Sequence, residues 1–263
     1  MSAAPEGAWF PLYRPEGGAA PVTRPCAPEL FCLPHAGAGA SVYWEWLPLL
    51  APEVDVVPIQ LPGRESRYKE PPRRSASDIT AELIEPLADR AGPDFSLFGH
   101  SMGGLLAYEV TRAMTAKGRP PRHLFVSGVR APQLGPPRRI AHLLPDPELL
   151  EVMEELAGTS PEVLAHPELV RLLLPVLRAD FAVCETYLHS HDTPLRVPIT
   201  VLGGLSDPSV SVSEMRAWRD LTSAGFEAEF YSGGHFYLNT LREEVIGALL
   251  ARLGPPGNLT ERS

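Results

Sequence analysis

The sequence predicts an α/β fold, in which a mostly parallel β-sheet carries helices on both faces and an inserted helical lid interrupts the repeating pattern. Short apolar runs alternate with helical patterns, as in parallel sheets whose strands are joined by helices. The runs lie at 30–33, 54–59, 95–98, 124–126, 199–202 and 227–231. Between the fourth and fifth runs only helical patterns occur. A length of 263 residues, 44% of them apolar, suits one domain with an insertion better than two equal domains.

The first predicted strand leads into a loop of small residues, 33–40, which reads Leu-Pro-His-Ala-Gly-Ala-Gly-Ala. The loop lacks the Gly-Lys-Ser/Thr ending of a P-loop and the G-x-G-x-x-G spacing of a dinucleotide-binding loop, which disfavours a phosphate cradle. Two interpretations stay open: an ordinary strand-to-helix turn, and a loop whose backbone donates a hydrogen bond to a reacting oxygen. For the second, we expect the donor to be the N–H of Ala36.

Basic residues form two groups that are local in the sequence. We interpret both groups as solvated surface, and the alternative is a docking face for an acidic partner. The first group comprises Arg64, Arg67, Lys69, Arg73 and Arg74, and the second comprises Arg119, Arg122, Arg138 and Arg139.

The third predicted strand ends in the pentapeptide Gly99-His100-Ser101-Met102-Gly103, and a helical pattern follows that Gly118 stops. A G-x-S-x-G sequence between a strand and a helix is typical of a nucleophile elbow, where a strained turn exposes a serine hydroxyl at a helix N-terminus. A chance match in a glycine-containing turn is the alternative. We predict that Ser101 is a nucleophile, that the Met102 N–H is an oxyanion donor, and that His100 packs against the turn.

Residues 132–190 are predicted to form a helical lid over the carboxyl edge of the sheet, and an extra helical layer elsewhere is the alternative. On this interpretation, residues 1–131 and 191–253 are the core and 254–263 a disordered tail. Pro175 is expected to kink the second lid helix. The first apolar stripe is Leu149, Leu150, Met153 and Leu156; the second is Leu169, Leu172, Leu173, Val176 and Leu177, continuing through Phe181 and Tyr187.

A serine nucleophile needs a base and a carboxylate that orients the base, and in this strand–helix arrangement they follow the serine in the order acid, then histidine. Asp207 comes just after the fifth predicted strand and is our candidate acid, although Asp-Pro is also a common turn. Ser211 to Glu214 resembles a capping box for the next helix. Asp180 and Asp192 fall in or beside the lid and are weaker candidates.

His235 is the candidate base, because it is the one histidine that follows both the fifth predicted strand and Asp207. It stands after the sixth predicted strand and two glycines, Gly233 and Gly234, which would let the loop bend the imidazole back toward Ser101. The other histidines show no pattern of metal ligands, so no metal or other cofactor is expected.

Charge and cysteine content limit the classes of function. A net charge of −9 without a long basic run disfavours binding to nucleic acid or to anionic membranes. The sequence contains no apolar run of signal-peptide or membrane-span length, which predicts a cytoplasmic protein. Cys26, Cys32 and Cys184 lack C-x-x-C spacing, so neither a disulfide framework nor a zinc site is indicated.

Taken together, these motifs resemble the stand-alone type II thioesterases that serve modular polyketide and nonribosomal peptide synthases and have the α/β-hydrolase fold. The blocks of resemblance are Pro-His-Ala-Gly at 34–37, Leu-Pro-Gly-Arg-Glu at 61–65, the elbow at 99–104, the turn at 204–207 and Gly-Gly-His-Phe at 233–236. The lid segment Leu-Arg-Ala-Asp-Phe at 177–181 is also similar. Gly37-Ala38-Gly39 departs from the family, whose members often have Gly-Gly-Ser there.

The resemblance implies a hydrolase that removes stalled acyl groups from the phosphopantetheine arm of acyl or peptidyl carrier proteins, in polyketide, nonribosomal peptide or antibiotic biosynthesis. The carrier domains of a synthase would be the partners, and the acyl group would arrive on the partner's phosphopantetheine. Two other functions stay open: a small-molecule carboxylester hydrolase or acyltransferase with the same three residues, and a non-catalytic binding module of the same fold.

Overall fold

The computed structural model describes residues 8–11, 26–137, 140–156 and 166–254. Its strands are β1 (Glu29–Leu33), β2 (Asp55–Pro58), β3 (Phe95–His100), β4 (Leu124–Ser127), β5 (Ile199–Gly204) and β6 (Phe226–Tyr231). In the described ranges they form one sheet in the order β2-β1-β3-β4-β5-β6, and each neighbouring pair is parallel. All six predicted runs are therefore strands, and their ends differ from the prediction by one or two residues.

Helices connect the strands. They are α1 (Leu47–Leu50), α2 (Ala76–Arg90), α3 (Met102–Ala116), α4 (Asp146–Glu155), α5 (Pro167–Glu185), α6 (Val212–Arg216), α7 (Tyr237–Thr240) and α8 (Arg242–Leu253). Short 3₁₀ helices occupy Ala40–Trp46, Glu65–Arg67, Pro132–Leu134 and Ala217–Leu221. None of the described helices is both long and apolar enough to cross a membrane.

Strands β1 to β5 are largely buried, whereas the edge strand β6 is partly exposed. The apolar side chains of the buried strands alternate between two cores. Phe31 and Leu33 of β1 join the core beneath α2 and α3, whereas Leu30 and Cys32 join the core beneath α1 and α8. Side chains alternate along a strand, so a continuous apolar run serves both cores at once. The predicted helices on both faces are confirmed.

Local sequence rules set the ends of the helices that hold the site. Helix α3 ends at Ala116, and Gly118 follows with φ +76°. The predicted capping box begins α6: Ser211 accepts a hydrogen bond from the Glu214 N–H, and the Glu214 side chain accepts one from the Ser211 N–H.

Helices α4 and α5 lie between β4 and β5, in the region predicted as a lid. They pack on each other through a small apolar core of their own, comprising Ala141, Leu149, Val152, Met153, Leu174 and Leu177. Pro175 lies inside α5, and the helix continues through it to Glu185. The limits proposed for the lid stay a prediction, and the tail beyond Gly254 lies outside the described residues.

The interpretation of the first basic group as solvated surface is wrong for two of its members. Arg64 and Arg67 are 7% and 3% exposed. Arg67 donates to both carboxylate oxygens of Glu70 and stacks over the ring of Trp9. Buried arginines need such partners, and local sequence does not reveal those that are distant along the chain, such as Trp9 for Arg67. In the second group, Arg138 and Arg139 lie outside the described residues.

Candidate active site

Ser101 occupies a strained turn between β3 and α3. Its φ is +54°, a value that non-glycine residues rarely adopt, and its N–H donates to Ser127 O at 2.8 Å. The turn leaves no room for side chains at two neighbours. A Cβ on Gly99 would lie 2.0 Å from Gly103 O, and one on Gly103 would lie 2.1 Å from Leu33 O. The glycines of the pentapeptide are therefore sterically required.

Asp207 and His235 form a buried pair at the ends of neighbouring strands. Asp207 follows β5 and His235 follows β6; because these strands are parallel and adjacent, their carboxyl ends meet at one edge of the sheet. His235 Nδ1 lies 2.7 Å from Asp207 Oδ2, and the two side chains are 4% and 0% exposed. The structure thus brings the candidate base and the candidate acid into direct contact.

Ser209 joins this pair and was not anticipated from the sequence. Its N–H and hydroxyl both donate to Asp207 Oδ1, at 2.8 and 2.7 Å. Its hydroxyl also lies 3.1 Å from His235 Nδ1. Asp-Pro-Ser is a sequence in which the aspartate accepts the N–H two residues on, so the turn chemistry was a usable indication.

The ionisation of Asp207 follows from these contacts. Burial raises the pKa of the carboxyl, but the hydrogen bond and charge of His235 and the two bonds from Ser209 outweigh burial, leaving the pKa below its ordinary value of 3.8. Asp207 is therefore an anion at neutral pH. An anionic acceptor requires the hydrogen of the neutral imidazole on Nδ1, which leaves Nε2 with a lone pair that can accept a proton.

Ser101 and His235 line one cavity of about 400 Å³, and Ala36 and Met102 line it with them. In the described chain, the hydrogen bonds of the His235 side chain run to Asp207 and Ser209, and none runs to Ser101. A serine hydroxyl reorients by rotation about one bond, and catalytic hydrogen bonds of this type commonly tighten only when substrate binds.

The two residues that are expected to donate oxyanion hydrogen bonds, Ala36 and Met102, line the cavity together with Ser101. Met102 is the first residue of α3, and the first N–H groups of a helix have no partner within it. Ala36 lies in the loop after β1, where Ala38 N donates to His35 O at 3.1 Å and Gly37 has φ +80°. Four of the five predicted site residues thus line one cavity, and the fifth, Asp207, lies directly behind His235.

The rest of the cavity wall combines the sheet edge with the lid region, and most of it is apolar. Its apolar members include Leu105, Val152, Leu156, Phe181, Tyr187 and Val210. Polar members include Arg130, Glu155, Glu185 and Glu214. Of the predicted apolar stripes, Leu156, Phe181 and Tyr187 line this cavity, whereas Met153 belongs to the apolar core between α4 and α5.

His100 is a buried packing residue, as predicted. Its Nδ1 lies 2.9 Å from Ser127 Oγ, which lies 2.7 Å from Tyr237 Oη. Its ring is 4.9 Å from the ring of His235. Burial, with smaller contributions from His235 and His35, lowers the pKa of His100 well below the ordinary value, so its imidazole is neutral.

The two weaker acid candidates lie elsewhere. Asp180 is fully buried, and its carboxylate binds Arg64 and the Gly37 N–H. Asp192 is exposed. Within the described ranges, no group of three or more His, Cys, Asp or Glu side chains is arranged to hold a metal ion.

The fold and this site define a class of protein. The family described as "Thioesterase domain" matches residues 28–253, and the chain belongs to that family.

Particular relatives narrow the class. The chain is 41% identical over 229 residues to the gramicidin S biosynthesis protein GrsT of Aneurinibacillus migulanus, covering 86% of this chain and 88% of GrsT. It is 37% identical over 243 residues to the thioesterase PikA5 of Streptomyces venezuelae, covering 91% and 83% of the two chains. Among solved structures, the type II thioesterase BorB from the borrelidin biosynthetic cluster superposes with a TM-score of 0.85 at 38% identity, covering 94% of this chain and 98% of BorB.

Proposed function

We propose that the protein is a serine thioesterase that hydrolyses acyl groups from the phosphopantetheine arm of acyl or peptidyl carrier proteins, and so removes aberrant or stalled acyl units from a modular synthase. One observation carries the proposal: Ser101, His235, Ala36 and Met102 line a single cavity, and Asp207 binds the far side of the imidazole. The motifs shared with type II thioesterases and the similarity to GrsT, PikA5 and BorB favour a carrier-bound thioester as substrate.

In the proposed first half-reaction, His235 Nε2 accepts the hydroxyl proton of Ser101 while the serine oxygen bonds to the thioester carbonyl carbon. The carbonyl electron pair moves to oxygen, and the N–H groups of Ala36 and Met102 donate to this oxyanion. The carbonyl then re-forms and the carbon–sulfur bond breaks. The sulfur takes the proton from His235, leaving acyl-Ser101 and a free pantetheine thiol.

Water completes the cycle. His235 accepts one proton from a water molecule while the water oxygen attacks the acyl-Ser101 carbonyl carbon. The second tetrahedral intermediate breaks the bond to the Ser101 oxygen, which recovers its proton from His235, and the free acid leaves. Asp207 keeps the imidazole oriented and stabilises its cationic form throughout. Every step uses groups of this chain, the substrate and water, so the proposed cycle requires no cofactor or metal.

We propose that region 132–190 serves as a lid whose inner wall binds the acyl chain. Its contribution to the cavity supports this assignment, because Val152, Leu156 and Phe181 supply apolar surface to the cavity that Ser101 also lines. Cavities of this size, mostly apolar with a few convergent polar groups, are typical of small-ligand sites.

A hydrolysis panel tests the proposal. Acetyl, propionyl and longer acyl groups on carrier proteins are offered to the wild type, to Ser101→Ala and to Ser213→Ala, whose exposed serine lies outside the cavity. We expect the wild type and Ser213→Ala to release the acids, and Ser101→Ala to lose at least about 10⁴-fold in kcat. A fluorophosphonate should label the wild type at Ser101.

Two results would contradict this proposal. Faster turnover of simple aryl esters than of carrier-bound thioesters would identify a carboxylester hydrolase. No labelling by fluorophosphonate, together with no turnover of any ester, would identify a non-catalytic binding module.

A further inference from the structure

The peptide unit between Ala36 and Gly37 is fixed at both of its polar ends. The Gly37 N–H donates to Asp180 Oδ2 at 2.8 Å, and Ala36 O lies 3.0 Å from Nδ1 of His35. Burial lowers the pKa of His35 to about 4, so the ring is neutral and its Nδ1–H can donate to that carbonyl. The Ala36 N–H, which faces the cavity in the proposed mechanism, belongs to the preceding peptide unit, and the two units meet at the Cα of Ala36. Fixing the Ala36–Gly37 unit restricts ψ of Ala36 and therefore limits how the two units can turn relative to each other.

Helix α5 makes the first of these contacts and also packs directly on the glycine. A Cβ at Gly37 would lie 2.7 Å from Leu177 Cδ2 and 3.5 Å from Leu173 Cδ1. Asp180, Leu177 and Leu173 lie three or four residues apart, which places them on one side of the helix. One side of α5 therefore holds Gly37 through both a hydrogen bond and apolar contact.

Arg64 completes the arrangement from the loop after β2. Its NH1 and NH2 groups lie 2.5 and 2.8 Å from the two carboxylate oxygens of Asp180, and the two side chains are 6% and 0% exposed. NH1 also donates to Ala38 O at 3.2 Å, and Nε donates to Pro62 O at 3.3 Å. A bidentate pair of this kind fixes the carboxylate in both distance and plane.

A purely stabilising role explains this pair poorly. Replacing a buried ion pair by apolar residues is often neutral or stabilising, because desolvation of both charges offsets their attraction. What the pair supplies is direction: the carboxylate oxygen that binds Arg64 NH1 is the same oxygen that accepts from Gly37. Oxyanion donors must be held in a fixed orientation before the negative charge develops. The loop at 33–40 therefore needs a contact that fixes the orientation of its peptide groups.

We propose that Asp180, held by Arg64, is a positioning residue that fixes the Ala36–Gly37 peptide and so aims the Ala36 N–H at the oxyanion. On this proposal, helix α5 of the lid region helps to form the site that stabilises the oxyanion. The proposal rests on the proposed function, since it needs Ala36 to be an oxyanion donor.

Asp180→Ala, which removes the acceptor for the Gly37 N–H, is the direct test. We expect kcat to fall by about 10- to 100-fold, less than the roughly 10²- to 10³-fold typical of removing an oxyanion donor itself, with KM changed by less than about twofold. The inhibition constant of an alkyl trifluoromethyl ketone, whose adduct with a serine carries an oxyanion, should rise by the same factor as kcat/KM falls. The dissociation constant of an unreactive amide analogue of the acyl-pantetheine should not change.

Glu70→Gln is the matched control. Glu70 also binds a buried arginine of the same loop, Arg67. In the described part of the chain, the side-chain hydrogen bonds of Arg67 run to Glu70 and Gln60 O, and none runs to the loop at 33–40. Because Glu70 is 34% exposed, this variant should lose less stability than Asp180→Ala, and it should keep kcat and the ketone inhibition constant.

A second pair of variants allows for misfolding caused by an unpaired buried Arg64. In an Arg64→Gln background, Asp180→Asn keeps an oxygen acceptor for Gly37 and Asp180→Ala does not. We expect the Asn form to have the higher kcat by about tenfold, with equal KM. Equal kcat values in this pair, or an unchanged ketone inhibition constant in Asp180→Ala, would overturn the inference. Failure of the proposed function is a separate outcome, because it appears in the wild type as absent thioester hydrolysis.

Discussion

At the scale of single residues, the environment of His235 determines what the site can do. Asp207 accepts one hydrogen bond from His235 and two from Ser209, and each of these bonds favours the charged form of the carboxylate. Candidate base and acid could be placed from their order after the strands. Ser209 could not be placed with the same certainty, since whether its hydroxyl faces the carboxylate depends on the course of the turn.

The lowered pKa of the Asp207 carboxyl predicts that Asp207→Asn reduces the free energy of unfolding by an amount that depends on pH. A carboxyl whose pKa is lowered by folding stabilises the protein above its ordinary pKa of 3.8, and this contribution disappears as pH falls through the folded-state value. The free energy of unfolding of the wild type should therefore exceed that of Asp207→Asn by a constant amount above about pH 5, and by less below about pH 4. Urea unfolding at pH 7 and pH 3 measures both differences.

The exposed Asp192, also a candidate acid from the sequence, provides the control. Asp192→Asn should leave the free energy of unfolding and kcat near the wild-type values. If the proposed mechanism holds, Asp207→Asn should reduce kcat by about 10⁴-fold, the loss seen when the aspartate of a serine protease triad is replaced. If Asp207→Asn and the wild type differ by the same free energy at both pH values, the assigned pKa shift is wrong.

At the scale of elements, the cavity is assembled from parts that are distant in the sequence. The turn after β3 contributes Ser101, the loop after β1 contributes Ala36, and helices α4 and α5 contribute apolar wall. The acyl-chain length that the protein prefers should therefore depend on residues of α4 and α5 that line the cavity. It should not depend on residues buried between these two helices, such as Met153.

Leu156→Trp should shift the acyl preference toward short chains. Leu156 follows the last residue of α4 and lines the cavity, so a larger side chain removes volume from the 400 Å³ available. We expect the ratio of kcat/KM for octanoyl over acetyl carrier substrates to fall by at least about tenfold, since losing the burial of several methylene groups costs about 0.8 kcal/mol each.

Leu172→Trp is the matched control on the neighbouring helix, because Leu172 of α5 is 73% exposed. Its octanoyl-to-acetyl ratio should equal that of the wild type. The same ratio in all three proteins would mean that this wall does not contact the acyl chain.

At the scale of the whole molecule, the strands and helices could be predicted from the sequence, but the order of the strands in the sheet could not. Apolar runs located β1 to β5 because these strands are largely buried. Glycines located the elbow because its geometry excludes a Cβ. The position of β1 between β2 and β3 was not predictable, because the local sequence does not indicate which strands are neighbours in the sheet. The burial of Arg64 was missed because its partner Asp180 lies 116 residues away.

The half-buried His123 should make the whole molecule less stable in mild acid. Burial, with a smaller contribution from Arg252, lowers the pKa of His123 to about 4, from an ordinary 6.5. Between these values the unfolded chain binds a proton that the folded chain does not, so stability is fully present above about pH 6.5 and falls as pH decreases toward 4. From pH 7 to pH 5 this one residue should remove at most about 2 kcal/mol.

The His123→Asn variant checks that contribution by urea unfolding at the two pH values. His123 bonds to Thr200 and stacks on Phe125 near the start of β4, away from the cavity. The decrease in unfolding free energy from pH 7 to pH 5 should be smaller in the variant than in the wild type, and kcat should be unaffected. An equally large decrease in both proteins would show that His123 titrates normally in the folded chain.

The ion pair between Arg64 and Asp180 has a consequence for recombining this chain with its relatives. A graft that exchanges residues 132–190 with those of a homologue would place the incoming residue at position 180 against this chain's own Arg64, so that the two halves of the ion pair would come from different parents. Chimeras whose incoming helix carries an aspartate at that position should keep turnover, whereas those whose incoming helix lacks it should acquire the new acyl selectivity with a lower kcat.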